Sequence, residues 1–174
     1  MKIHTLGPTS TDSYAAATHI PGVVAPTIVL HDNFDEIIAQ LPDLVGDHFL
    51  VPAAYQSQRA DFGWRELCYE YSDRLQLVNL FHRPLKPMCL LENPLYTEDA
   101  AIIHPATANL LRHSQVGDYE VFYAGSKAAA YADFKAVGYR YTIASADMVE
   151  DQTMIRKVFE PDMVWCLYLV CGIN

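Results

Sequence analysis

Three short stretches set hydroxyl, imidazole or ammonium groups at what reads as the start of a helix: "GPTSTDS" (residues 7–13), "HPATAN" (104–109) and "GSKAAA" (125–130). A helix start offers unpaired N–H groups and the positive end of the helix dipole, so each stretch is suited to holding an anion. In the first, Thr9, Ser10, Thr11 and Ser13 are candidate donors to a carboxylate, and each serves equally well as an ordinary cap or turn residue. In the second, His104 either closes a strand or meets a ligand. In the third, Ser126 reads as the cap, with Lys127 and Ala128 after it. A cation at the first helical position opposes the dipole unless an anion lies between them, which tilts Lys127 toward function.

Other candidates are more isolated. Tyr55, after "VPAA", is an aromatic packed on a sheet edge or a proton donor. Arg83 and Arg112 are candidate carboxylate clamps, though single arginines are usually solvated. Asp32, Asp35 and Glu36 read as the acidic first turn of a helix. The chain has no Ser-His-Asp order, phosphate-cradling glycine loop or His-x-x-x-His pattern, which removes the common hydrolase and nucleotide readings. Cys68, Cys89, Cys166 and Cys171 show neither a C-x-x-C pair nor zinc spacing and read as reduced, mostly buried thiols. Neither a metal nor a cofactor is expected.

The elements that must carry these groups follow from periodicity. "KIHTLG" reads as a strand, "TDSYAAATHI" as a helix capped by Thr11 or Asp12, and "GVVAPTIVLH" as a strand interrupted by Pro26. "DNFDEIIAQLPDL" has Phe34, Ile37, Ile38 and Leu41 at helical spacing with Asp32 as its cap, and "DHFLVPAAY" is a strand ending at Pro52. This β-α-β-α-β opening predicts a parallel sheet. Further strands are expected at "RLQLVNLFHR", "MCLLEN", "AAIIHP", "DYEVFYAG", "RYTIAS" and "DMVWCLYLV". Helices are expected at "ATANLLRHS" and "SKAAAYADFKAVG", the latter ending at Gly138. In open α/β sheets ligands bind at the carboxyl ends of strands, where the three loops fall.

At 174 residues and 51% hydrophobic content the chain suits one good core or two small lobes. A formal charge of -9 with twelve scattered Lys and Arg argues against nucleic acid. The first residues do not resemble a secretory signal, and the longest apolar-rich segment, "MVWCLYLVCGI", is far too short to span a membrane. A cytoplasmic location is expected.

Taken together, four stretches resemble the prephenate dehydratase family. "LGPTSTDSYAAA" is similar to its G-P-x-G-T-x-S opening, "FLVP" to its V-P segment, "IIHPATANLL" to its S-H-P segment and "GSKAAA" to its S-x-A-A helix start. The family continues V-P with I-E-N-S, where this chain has Ala54 and Tyr55, and carries a late T-R-F triplet that "EDQTMIRKVFEPDMVW" lacks. Both departures resemble the non-aromatising prephenate decarboxylases of the bacilysin-pathway type, which share V-P-x-A-Y, an H-D-x-F segment like "LHDNFDE", S-K-A-A and a Trp-containing last strand.

The resemblance implies a two-lobed α/β fold of the type II periplasmic-binding-protein kind, with a ligand cleft between the lobes. Lobe 1 is expected over about residues 1–82 plus 151–174, and lobe 2 over about 83–150. It also implies a dicarboxylate substrate, prephenate, held by Thr9, Ser10, Thr11, Ser13, Ser126, Lys127, Ala128 and Arg83, with His104 or Tyr55 delivering the proton. A homodimer is compatible with this reading. Decarboxylation requires the ring carboxylate to leave water, and loss of the triplet favours retention of the ring hydroxyl. The alternatives are a dehydratase giving phenylpyruvate and a cytoplasmic domain that binds a small carboxylate or amino acid without catalysis.

Overall fold

The computed structural model describes residues 1–172 apart from Gln58, Thr97 and Gln115. In chain order the main elements are β1 (Lys2–Leu6), α1 (Asp12–Ala17), β2 (Thr27–His31), α2 (Phe34–Ala39), β3 (His48–Pro52), α3 (Trp64–Glu70), β4 (Leu75–His82), β5 (Met88–Glu92) and β6 (Ala100–Ile103). They continue with α4 (Ala108–Arg112), β7 (Glu120–Tyr123), α5 (Lys127–Val137), β8 (Tyr141–Ser145), β9 (Ile155–Phe159) and β10 (Val164–Val170). These form two compact units, one of Met1–Leu85 with the segment from Asp162 onward, the other Lys86–Pro161.

The first unit holds a five-stranded sheet in the order β2-β1-β3-β10-β4. β1 pairs in parallel with β2 and β3, as the β-α-β-α-β opening predicts, while β10 lies antiparallel to both β3 and β4. The period-2 alternation of strands sorts its side chains onto two faces. Ile3, Leu50, Trp165 and Leu167 pack with Ala16 and Ala17 of α1, whose small side chains let the helix lie close to the sheet. Phe49, Val51, Cys166 and Tyr168 pack with Ile37 and Ile38 of α2 and Leu67 of α3. The Thr5 hydroxyl, fully buried, donates to the Leu50 carbonyl at 3.0 Å and ties β1 to β3.

The second unit holds a sheet in the order β7-β6-β8-β5-β9. Cys89, Leu91, Ile102 and Ala144 face Phe134 and Tyr131 of α5. Met88, Leu90, Ile103 and Ile143 face Leu111 of α4. The helix α5 ends as expected at Gly138, which has φ 96° and lies so close to the Tyr96 ring that an added Cβ would sit 2.3 Å from it. Glycine is required there for both conformation and space.

Three details depart from the sequence reading. The cap of α2 is Asn33, whose side chain accepts from the Glu36 N–H at 2.8 Å; Asp32 instead gives its own N–H to the Glu36 carboxylate at 3.3 Å. The strand expected from residue 22 begins only at Thr27, because Pro26 has no N–H to give a ladder. Residues 155–159, assigned to the first lobe and not read as a strand, form β9, which pairs antiparallel with β5 in the second unit. Ile155 and Phe159 pack against the two core clusters of the second unit, and an ion pair adds to the strand pairing. Glu92 of β5, 9% exposed, accepts from Arg140 Nη2 at 2.9 Å and from Arg156 of β9. Burial pushes the Glu92 carboxyl up, but the two guanidinium groups outweigh it and hold the group ionised. The strand pattern is masked in sequence because Arg156 and Lys157 occupy its middle.

Candidate functional site

The second unit brings together three of the candidate groups. His104 follows β6 and caps a 3-10 turn over Pro105–Thr107, its Nδ1 accepting the Ala106 N–H at 3.3 Å. In the neutral ring that bond leaves the proton on Nε2, which becomes an outward donor. Burial lowers the His104 pKa below its ordinary 6.5, and the charge of Lys127 lowers it further. Lys127 is therefore an electrostatic neighbour of His104, across the carboxyl ends of β6 and the start of α5.

Lys127 is half-buried, and its ammonium donates only weakly, to the Met88 thioether at 3.8 Å. Among the described residues no carboxylate pairs with it. Ser126 caps α5, its hydroxyl accepting the Ala129 N–H at 3.0 Å. That leaves the N–H groups of Lys127 and Ala128 without partners inside the helix. The result is a cation and two backbone N–H groups at the positive end of an eleven-residue helix, near enough to His104 for the Lys127 charge to lower its pKa, an arrangement whose chemistry is that of an anion site.

The first unit treats its candidates differently. Thr9 and Ser10 stand exposed in the turn after β1, and Ser13 is buried. The Thr11 hydroxyl accepts the Tyr14 N–H at 3.2 Å and points its proton at the Leu6 and Pro8 carbonyls, each 2.9 Å away. Its capacity is spent on capping α1, so its assignment as a carboxylate donor is corrected to a structural one. Thr11→Ala should therefore cost about 1 kcal/mol of stability, read as a lowered urea midpoint, and leave ligand affinity unchanged; a loss of affinity at unchanged stability would contradict the capping role.

Tyr55 is 4% exposed, set edge-on between Phe34 and Phe62, with its hydroxyl donating to the Asp35 carboxylate. Burial raises its pKa and the Asp35 bond raises it further, which makes it a weaker acid. The structure thus makes Tyr55 a packing and anchoring residue rather than a free proton donor. Arg83, half-buried after β4, has its carbonyl bonded to Trp165 Nε1 at 3.2 Å, and its guanidinium pairs with no carboxylate among the described residues. Thr153 is engaged by Asp151, to which its hydroxyl donates at 2.6 Å.

One cluster lies outside the sequence reading. His4 of β1, 3% exposed, faces His31 of β2 at 2.9 Å through Nδ1 and Asp47 at 3.1 Å through Nε2, and Lys2 holds the same Asp47 oxygen at 2.8 Å. Asp47 accepts from His4 Nε2, and with both rings neutral the Nε2–H of His31 donates to His4 Nδ1. No local motif marks this chain, because its members come from two strands, β1 and β2, and from the turn just before β3. Next to it, the His31 carbonyl accepts the Gly7 N–H at 2.9 Å, joining the cluster to the first candidate loop.

His31, His48 and His104 all have pKa values lowered mainly by burial, from an ordinary 6.5. The unfolded chain therefore binds more protons than the folded one below that value, and their stabilising contribution is present above about 6.5 and lost as the pH falls below it. The melting temperature should drop between ~pH 7.5 and ~pH 5, well before the carboxylates titrate. A flat profile across that range would show that these rings are not held neutral.

The four thiols are free. Among the described residues no group of three or more His, Cys, Asp or Glu is placed to hold a metal ion, and no helix is long and apolar enough to cross a membrane.

The sequence matches no protein-family model and no curated protein. Solved structures are similar in fold. The prephenate dehydratase of Arthrobacter aurescens in complex with L-Phe matches 99% of this chain and 60% of its own at 16% identity and TM-score 0.56. The prephenate dehydratase of Staphylococcus aureus subsp. aureus Mu50 matches 97% of this chain and 66% of its own at 14% identity and TM-score 0.53. A TRAP periplasmic solute binding protein from Escherichia fergusonii matches 98% of this chain and 72% of its own at 8% identity and TM-score 0.54. The chain thus spans 60% to 66% of the length of the two dehydratases. At these identities the likeness is one of fold: a mixed α/β chain of the type II periplasmic-binding-protein kind, shared by lyases and solute binders.

Proposed function

We propose that this protein binds prephenate in the cytoplasm and removes carbon dioxide from it without aromatising the ring. The observation that carries the reading is the Lys127 ammonium at the start of α5, an electrostatic neighbour of His104, which among the described residues meets only the Met88 thioether and no carboxylate. That group of donors suits one carboxylate of a dicarboxylate. The V-P-x-A-Y and S-K-A-A stretches, and the lack of the late triplet, support prephenate and the non-aromatising outcome.

In this reading Lys127 and the first N–H groups of α5 anchor one carboxylate. The anion restores proton affinity to His104, whose pKa burial and Lys127 had lowered. As the bond between the ring carbon and the other carboxylate breaks, its electron pair moves into the diene. A ring carbon then takes a proton from the imidazolium of His104, which is left neutral, and the hydroxyl stays, the outcome that the lack of the late triplet favours. Tyr55, engaged with Asp35, takes no part in that transfer.

The test is incubation with prephenate, followed by ultraviolet spectra before and after mild acid. A non-aromatic dihydro-4-hydroxyphenylpyruvate supports the proposal, and phenylpyruvate would make the protein a dehydratase. Prephenate that is bound but unchanged would favour a second reading, a carboxylate-binding domain without catalysis. That reading draws support from the structural engagement of Thr11 and Tyr55 and from the solute-binding protein that shares the fold.

A further inference from the structure

We infer, resting on the reading of Lys127 as a carboxylate anchor, that the Ser145 hydroxyl is a further donor of that site, so that both oxygens of the carboxylate are held. Ser145 is the last residue of β8 and is 7% exposed. It stands where a serine commonly caps the turn that follows it, here Ala146–Met148, yet its side chain makes no capping bond. Among the described residues its hydroxyl has no hydrogen-bond partner. A mostly buried hydroxyl without a partner costs folding free energy, so its presence calls for another reason.

The sheet brings Ser145 to the groups already placed at the site. β8 lies between β6 and β5. β6 and β8 run parallel, so His104, which follows β6, and Ser145 leave the sheet at the same end. β7 is parallel to β6 as well, and the Ala124 N–H donates to the Ile103 carbonyl at 2.9 Å, which leads the chain to Ser126 and Lys127 at that end. β5 runs the other way, with Met88 directly opposite Ser145. Opposed residues of an antiparallel pair carry their side chains on one face, about 5 Å apart. Met88 is also the residue whose thioether Lys127 Nζ meets at 3.8 Å. The Ser145 hydroxyl and the Lys127 ammonium are thus neighbours of one and the same side chain.

A carboxylate offers two oxygens and about four lone-pair directions. Lys127 and the first N–H groups of α5 approach it from the helix side. Ser145 approaches from the sheet, and as a neutral donor it adds direction without adding charge. The closest carboxylate along the chain, Asp147, is held by Lys86 at 2.8 Å, so its charge is matched. A hydroxyl left unpaired until a ligand arrives is a group kept for binding at some cost in stability.

Isothermal titration with prephenate and thermal melting of the ligand-free protein test this together. Ser145→Ala should raise the dissociation constant about tenfold. Its melting temperature should be unchanged or raised, because the hydroxyl removed had no partner. Ser145→Asp sets a carboxylate where that of the ligand would lie, so its effect on the melting temperature should be more favourable with Lys127 present than in the Lys127→Met background. Wild-type affinity in Ser145→Ala would overturn the inference. So would a lowered melting temperature in that variant, which would give the hydroxyl a structural partner, or a Ser145→Asp effect indifferent to Lys127. A wild type that binds no prephenate, with the coupling between Ser145→Asp and Lys127 present, would support the donor set and overturn only the choice of substrate.

Discussion

Lys127→Met should weaken prephenate binding by about ten- to a hundredfold, the loss expected when a charge-assisted hydrogen bond of about 1.5–3 kcal/mol is removed. Met keeps the apolar stem of the side chain and removes only the ammonium. The fold has little stake in that ammonium, whose partner is the Met88 thioether at 3.8 Å. Isothermal titration and thermal melting should therefore separate cleanly, with affinity reduced and the melting temperature unchanged or slightly raised. A rise is physically reasonable, because the cation sits at the positive end of α5 and raises the cost of the unliganded state. An unchanged dissociation constant would remove the anion site on which the proposed function stands, whatever the reaction.

Trp165→Ala should lower the stability of the first unit by about 3–5 kcal/mol. The side chain is 1% exposed on β10, between β3 and β4, and packs with Ile3, Leu50 and Phe81. Its removal leaves a cavity in a two-sided core and strips the Arg83 carbonyl of the Nε1–H donor 3.2 Å away. Such a loss is a large share of the about 5–15 kcal/mol by which domains are stable. The chain has two tryptophans, and the other, Trp64, also lies in the first unit. Its fluorescence therefore reports urea unfolding in the variant. Trp165→Phe, which keeps an aromatic ring while losing the indole N–H and part of the buried volume, should cost much less; equal losses would mean that the ring retained by Phe contributes little.

Elements with strong periodicity were legible without coordinates. The parallel opening, α5 with its Ser126 cap and Gly138 end, and the buried last strand all rest on local patterns that the tertiary structure does not overrule. What stayed hidden depends on contacts between distant residues. "IRKVF" lacks apolar alternation, and the partners that make it a strand of the second sheet, the β5 ladder and the carboxylate of Glu92, lie more than 60 residues away. The hydroxyl of Thr11 is chemically able to cap or to bind; the positions of the Leu6 and Pro8 carbonyls decide between them. For Tyr55, read either as an aromatic packed on a sheet edge or as a proton donor, sequence does not show which way the ring turns, and Asp35 claims its hydroxyl. The His4, His31 and Asp47 chain depends on the pairing of β1 with β2 and β3, which brings the turn before β3 alongside.

The strand order of the first sheet also bears on how the polypeptide leaves the ribosome. The second unit is one continuous stretch, Lys86–Pro161, and can complete its sheet as soon as that stretch has emerged. The first cannot, because β4 bonds only to β10 and β3 meets β4 only through it. From the time residue 82 appears until residues 164–170 follow, an uncharged eight-residue strand waits with both edges open. Synthesis at about 5–20 residues per second makes that interval several seconds long. During that time nascent chains on neighbouring ribosomes present one another with the same neutral segment, and a chaperone that shields extended apolar strands would have its client there.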